Sequence, residues 1–185
     1  ITNDLQATRT NMIYFLSDAH LGSRAISNFD AHQQTLISML RTLAKDATAI
    51  YLLGDIFDFW CEFFWQDKSK EQYRPFLQTI NEITDKGIEV HFFIGNHDIW
   101  CGDYLQKECG VILHTQPATI EWGDKVFMLA HGDGLGDPSK KFKLLRRVFH
   151  NKFCQWLFSS LHPRWGVDFG MTWARHSRLS HMKEG

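Results

Sequence analysis

Short apolar segments alternate with helical segments through the first half of the chain, and this alternation most constrains the fold. The apolar segments are residues 12–17, 48–53 and 88–94. The hydrophobicity of residues 12–16 is continuous, which is typical of a strand buried on both faces of a sheet. Residues 30–44 and 73–86, which lie between them, carry apolar side chains at helical spacing. The pattern predicts an α/β fold with layered helices and strands.

Further strands are predicted in the second half of the core. After a short helix at residues 104–108, residues 111–114, 118–121 and 125–130 have the composition of strands. Gly123 and Asp124 separate the last two segments and suit a tight hairpin turn. The chain has 185 residues, a length that suits one domain with a single hydrophobic core.

The net charge of −1 conceals an uneven distribution. Residues 139–185 contain ten Lys or Arg and two Asp or Glu, whereas residues 1–138 contain ten and nineteen. An acidic body followed by a basic segment predicts two separate tasks. The four cysteines form no C-x-x-C pair, and no apolar run approaches the ~20 residues of a membrane span. We therefore expect a protein of the reducing cytoplasm.

The basic segment is also aromatic and amphipathic. Apolar residues recur every three or four positions between residues 139 and 160, namely Phe142, Leu145, Phe149, Phe153 and Trp156. Three interpretations fit this composition: contact with lipid or a membrane, packing on the core, and nucleic-acid binding. Large apolar side chains among basic ones favour lipid contact over a phosphate backbone. We expect a peripheral membrane location and no nucleic-acid partner.

Polar clusters follow four of the predicted strands. They are Ser17-Asp18-Ala19-His20, Gly54-Asp55-Ile56-Phe57-Asp58, Gly95-Asn96-His97-Asp98 and His131-Gly132-Asp133. Ligands of α/β sheets bind beyond the carboxyl ends of the strands, and carboxylate and imidazole groups suit Mn, Fe, Zn or Ni. Because alternate side chains of an extended strand point the same way, we expect Asp18 and His20 to share one metal ion.

The order of the clusters resembles the calcineurin-like metallophosphoesterases, whose pattern runs D-x-H, G-D-x-x-D, G-N-H-D/E, H and G-H-x-H. The first four blocks are present in order between residues 12 and 138. The resemblance implies a four-layer αββα sandwich with two divalent metal ions, for which manganese is expected. It implies that the first ion is bound by Asp18 and His20, that Asp55 bridges both ions, and that the second is bound by Asn96 and His131.

The same resemblance implies the roles of two further residues. His97 would donate a proton or steady the transition state, and Asp98 would orient His97 through a hydrogen bond. Two cations ~3.5–4 Å apart neutralise the anionic oxygens of a phosphate ester and activate a water molecule for attack. A nearby imidazole that protonates the leaving group typically adds ~100–10,000-fold in rate.

A narrower resemblance is to the bacterial UDP-2,3-diacylglucosamine pyrophosphohydrolases of lipid A biosynthesis. It rests on D-I-F-D-F-W from Asp55 and H-G-D-G-L-G-D from His131, with the basic segment directly after. It implies release of UMP and 2,3-diacylglucosamine 1-phosphate at the cytoplasmic face of the inner membrane. Residues 139–185 would form a helical cap over the acyl chains, and candidate substrate contacts are Asp137, Arg146 and Arg147. His97 departs from the best-known form, which has arginine in this block.

The final G-H-x-H block, which supplies a ligand to each metal ion in the family, has no match after His131. We therefore expect the sequence to be part of a longer protein. Two alternatives stay open. One is another metallophosphoesterase, such as a phosphodiesterase, nucleotidase or protein phosphatase, and the other is a non-catalytic module that binds lipid or metal.

Overall fold

Four parallel strands form the main sheet, and they coincide with apolar segments predicted from the sequence. The computed structural model describes residues 12–62, 68–133 and 151–159, and the single residues 144, 147, 148 and 172. The strands are β1 (Met12–Leu16), β2 (Ala47–Leu53), β3 (Glu89–Phe93) and β4 (Ile112–His114). They are neighbours in chain order, and each pair is parallel. The predicted α/β fold is confirmed.

Helices cover one face of this sheet. They are α1 (Phe29–Leu43), α2 (Arg74–Asp85), preceded by a 3₁₀ turn over Lys68–Tyr73, and α3 (Tyr104–Cys109). The Asn28 side chain caps α1 by accepting from the Ala31 amide at 2.9 Å. Leu40 and Phe76 pack against Ile50 in one continuous core. Each such buried side chain contributes roughly 1.5–3 kcal/mol to folding, so this layer anchors the strands whose ends build the site.

An antiparallel hairpin packs on the opposite face of the sheet. It joins β5 (Ala118–Trp122) to β6 (Lys125–Leu129). The turn is the predicted one, because Gly123 adopts a left-handed φ of 63°. Leu129 packs with Tyr51 and Phe93 in a second core cluster, while Val126 points outward. Helices, sheet and hairpin are three of the four predicted layers.

The C-terminal segment is only partly described. Helix α4 (Lys152–Ser159) lies within the predicted amphipathic segment, but most of the cap predicted at residues 139–185 lies outside the described residues. Phe153, Trp156 and Leu157 are each more than half exposed. No helix in the described part of the chain is long and apolar enough to cross a membrane. None of the four cysteines, which all lie in the described part of the chain, forms a disulfide bond.

Candidate metal centre

Four loops meet beyond the carboxyl ends of the strands, and they bring the predicted ligands together. Three of the loops follow β1, β2 and β3, which are adjacent and parallel, so the loops emerge at one edge of the sheet. The fourth follows β6 and carries His131. The first two loops are joined by backbone hydrogen bonds from His20 N to Asp55 O at 2.9 Å and from Leu21 N to Ile56 O at 2.8 Å.

The backbone at the first two loops is left-handed. Asp18, His20 and Asp55 have φ angles of 55°, 44° and 53°. Such conformations are uncommon outside glycine, although Asp and His tolerate them better than most residues, and each costs roughly 1–3 kcal/mol. The strand ends at Leu16, so the alternation that we used to pair Asp18 with His20 is not what brings them together. The left-handed backbone does so, with His20 Nε2 lying 3.9 Å from Asp18 Oδ1.

Asp55 lies at the middle of the site. Its Oδ2 atom is 3.4 Å from His131 Nε2, 3.9 Å from His97 Nε2 and 4.0 Å from His20 Nε2. Asn96 Oδ1 approaches His131 Nε2 at 3.3 Å. Two groups of potential ligand atoms therefore share one carboxylate, each group lying within 4.8 Å: His20, Asp55 and His97, and Asp18, Asp55 and His131.

The charges of this cluster are coupled. Burial raises the pKa of Asp55, but the hydrogen bond from His131 and the charges of His97 and His131 outweigh burial, and the pKa of Asp55 is lowered. Burial opposes the charge of His131, yet Asp55 raises the pKa of His131 to about 9. Burial lowers the pKa of His97. A buried carboxylate surrounded by imidazoles is a donor set suited to divalent transition metals.

Two of the histidines are held by backbone carbonyls. His131 Nδ1 donates to Leu53 O at 2.9 Å, and His97 Nδ1 donates to Asp58 O at 2.8 Å. Each bond places the ring proton on Nδ1 and leaves Nε2 directed at Asp55. A hydrogen bond of this kind fixes the tautomer and orientation of a metal-ligating or proton-transferring imidazole.

The predicted hydrogen bond from Asp98 to His97 is wrong. Asp98 is fully buried, and its two oxygens accept from the backbone amides of Gly95 and Ile56, the latter at 3.0 Å. Burial and the nearby Asp55 raise the pKa of Asp98 to about 7. The carboxyl group therefore joins the loop after β3 to the loop after β2.

Asp58 is the residue whose role the sequence interpretation underrated. It is almost fully buried, and its Oδ1 atom lies 3.4 Å from His20 Nδ1, on the side of that ring opposite Asp55. Its carbonyl group is also the acceptor for His97. The second aspartate of G-D-x-x-D was the available signal, because a carboxylate behind an imidazole is a common support for metal ligands.

The predicted substrate contacts are less informative. Asp137 and Arg146 lie outside the described residues. Arg147 is described, and it is exposed within a helical turn. All three remain predictions, as does the division between a core at residues 12–138 and a cap at residues 139–185.

Known proteins with related sequences point to one family. The model of the calcineurin-like phosphoesterase family matches residues 12–172. A Porphyromonas gingivalis protein named UDP-2,3-diacylglucosamine hydrolase is 38% identical over 172 residues, which cover 92% of this chain and 65% of that protein. A Vibrio parahaemolyticus protein of the same name is 34% identical over 80% of this chain and 58% of its own length. The chain thus spans about two thirds or less of these relatives, and it belongs to the calcineurin-like phosphoesterase family.

Proposed function

We propose that the protein is a two-metal hydrolase that cleaves the pyrophosphate of UDP-2,3-diacylglucosamine into UMP and 2,3-diacylglucosamine 1-phosphate. The observation that carries the proposal is the position of Asp55 between two groups of ligand atoms. A carboxylate shared in this way suits a pair of ions rather than one. The substrate is suggested by the names of the relatives.

The proposed ligand roles keep the predicted pairs, although the two groups of nearest ligand atoms place His20 with His97 and Asp18 with His131. Asp18 and His20 would hold the first ion, which is consistent with their 3.9 Å separation. Asn96 and His131 would hold the second, consistent with their 3.3 Å contact. When bound, two divalent ions would offset the negative charge of the diphosphate and activate water at neutral pH. Manganese is the proposed metal, although iron, zinc and nickel accept the same donor set.

His97 has the position of a proton donor. Its Nδ1 proton is engaged by the carbonyl group of Asp58, so Nε2 is the atom that can carry a proton to or from the substrate. This atom lies 3.9 Å from Asp55 Oδ2, inside the cluster. We propose that it protonates the departing phosphate oxygen, while Asp98 holds the loop that presents it.

The C-terminal segment would bind the lipid part of the substrate. Helix α4 exposes Phe153, Trp156 and Leu157 in a region rich in Lys and Arg. Exposed aromatic and aliphatic side chains among basic ones suit acyl chains and an anionic membrane surface. We therefore propose a cytoplasmic enzyme bound peripherally to the inner membrane, with no nucleic-acid partner.

The test is release of UMP by the intact protein. We expect release with Mn²⁺ and none with EDTA, and we expect Asp55→Asn to lower it about 1,000-fold or more because the ions lose their common ligand. Asp124→Asn, the same substitution in the exposed hairpin turn, is the matched control and should leave release unchanged. Turnover of a simple phosphodiester without UMP release would reject this substrate and favour another metallophosphoesterase. Absence of both activities, with fewer than two ions bound, would favour a non-catalytic module.

A further inference from the structure

A cleft opens beside the metal centre, and most of the residues that line it have no role in the proposed reaction. Its walls come from the end of β3, the segment after β4 and the end of β6. Gly95 and His131 belong to both the cleft and the centre. A group attached to a phosphate held at the centre can therefore extend into the cleft without crossing the protein surface.

The size of the cleft limits what it can accept. The space open to water in it is about 100 Å³. One water takes about 30 Å³ in the liquid, so the cleft holds only a few waters or one small planar ring. A pyrimidine ring with its substituents has about this size. The two acyl chains of the proposed substrate are far larger, and they need a different surface.

The lining of the cleft suits a planar, uncharged, polar group. The lining mixes apolar side chains, including Ile94, Ile99 and Met128, with polar groups from Thr115, Gln116 and Asp133. Pockets for small molecules combine apolar side chains with a few polar positions that fix orientation. The amide of Gln116 can both donate and accept, as a pyrimidine edge requires. The carboxylate of Asp133 disfavours a second phosphate but can accept from ribose hydroxyl groups.

One wall of the cleft is held rigid by stacked rings. The His114 ring stacks on Phe93 with centroids 4.2 Å apart and planes 8° from parallel. His114 Nε2 lies 2.9 Å from His91 Nδ1, and His91 Nε2 lies 3.3 Å from Glu89 Oε2. This series of contacts, from Glu89 through His91, holds the His114 ring in place. A wall that is already ordered lowers the entropic cost of binding a flat ligand.

We propose that this cleft binds the pyrimidine base at the nucleoside end of the substrate. The assignment rests on the proposed function, because that function supplies a uridine attached to the reacting diphosphate. It gives Thr115 and Gln116 the role of specificity-determining residues. They would select the nucleotide half of the substrate independently of the residues that bind the lipid half.

The experiment compares inhibition by UMP and by inorganic phosphate in the intact protein with Mn²⁺. Turnover of bis(p-nitrophenyl) phosphate is the readout, since both inhibitors can occupy the metal centre but only UMP can fill the cleft. In the wild type, UMP should inhibit at least about tenfold more tightly than phosphate, as expected for one additional filled subsite. Thr115→Trp places an indole in the cleft and should remove most of this difference. Gln116→Ala, which adds no bulk, should reduce it about three- to tenfold.

Thr35→Trp is the matched control, because Thr35 is an exposed threonine on α1 that does not line the cleft. It should retain the wild-type preference for UMP. The inference is overturned if Thr115→Trp and Gln116→Ala both keep that preference, or if Thr35→Trp loses it equally. If the wild type releases UMP from the lipid substrate but is inhibited equally by UMP and by phosphate, the proposed role of the cleft is refuted. The proposed function would still stand. If the wild type releases no UMP from the lipid substrate, the proposed function is refuted, and the role of the cleft, which rests on it, is refuted as well.

Discussion

Gly95→Ala should damage the metal centre without altering any ligand. A Cβ atom at Gly95 would overlap Oδ1 of Asp55, and it would lie 2.6 Å from the backbone nitrogen of Asp55 and 2.9 Å from its Cγ. Carbon atoms normally stay about 3.5 Å or more from such neighbours, so Asp55 or the Gly95 loop must move by roughly 1 Å. Gly95 is not in a left-handed conformation, so the effect is steric.

The expected magnitudes follow from that displacement. Overpacking of a buried contact costs about 1–3 kcal/mol of unfolding free energy. A shift of about 1 Å in a positioned group can lower activity ~100-fold, and disturbed support of a ligand lowers metal affinity about 10–100-fold. Isothermal titration with Mn²⁺ measures the affinity, and urea unfolding in EDTA measures the stability of the metal-free protein.

Gly87→Ala provides the control for stability. Gly87 has a φ of 78°, and a Cβ atom there would meet nothing within 4 Å. The left-handed conformation makes this alanine cost about 1–2 kcal/mol, a destabilisation similar to that of Gly95→Ala, at a position remote from the ligands. Manganese affinity should then be normal for Gly87→Ala and weakened for Gly95→Ala. Equal affinities in the two variants would refute the argument that the contact with Asp55 controls the centre.

Three further predictions concern the site. His97→Gln should lower turnover about 100–10,000-fold while the number of bound ions, measured by elemental analysis, stays the same; loss of an ion would identify His97 as a ligand instead. Asp55 raises the pKa of His131 to about 9 in the metal-free protein, so an ion that binds His131 at pH 7 must displace a proton. The affinity for Mn²⁺ should therefore increase between about pH 6.5 and 8.5. An affinity that does not change with pH in titration calorimetry would contradict this prediction. The raised pKa of His131 also adds to the free energy of unfolding of the metal-free protein, and this addition is complete below about pH 6.5. It should decrease as the pH rises towards about 9. Urea unfolding of His131→Gln should not show that decrease.

The strands were predictable because their signal is local. Residues 49–53 are apolar without interruption, and the structure places β2 inside the sheet with a neighbour on each side. The hairpin was predictable because Gly123 supplies the left-handed turn that two adjacent strands require. Periodicity and turn chemistry act over a few residues, so one sequence contains them.

The contacts inside the site were less predictable, because they join distant parts of the chain. The motif suggested Asp98 as the partner of its neighbour His97, whereas the carbonyl group of Asp58 supplies the acceptor from 39 residues away. The cleft is formed by three separate segments, and no single run of residues indicates it. Side-chain alternation also failed at Asp18, because the chain leaves the strand before it reaches the ligands.

The left-handed ligands have a consequence for the evolution and engineering of this fold. Asp18 and Asp55 are held in a conformation that glycine would adopt without strain. Random selection for heat resistance should therefore recover glycine at Asp18, gaining up to about 1 kcal/mol while weakening the proposed metal binding. Engineering for thermal stability should therefore leave these loop positions unchanged, because a substitution that stabilises the fold there would remove a proposed metal ligand.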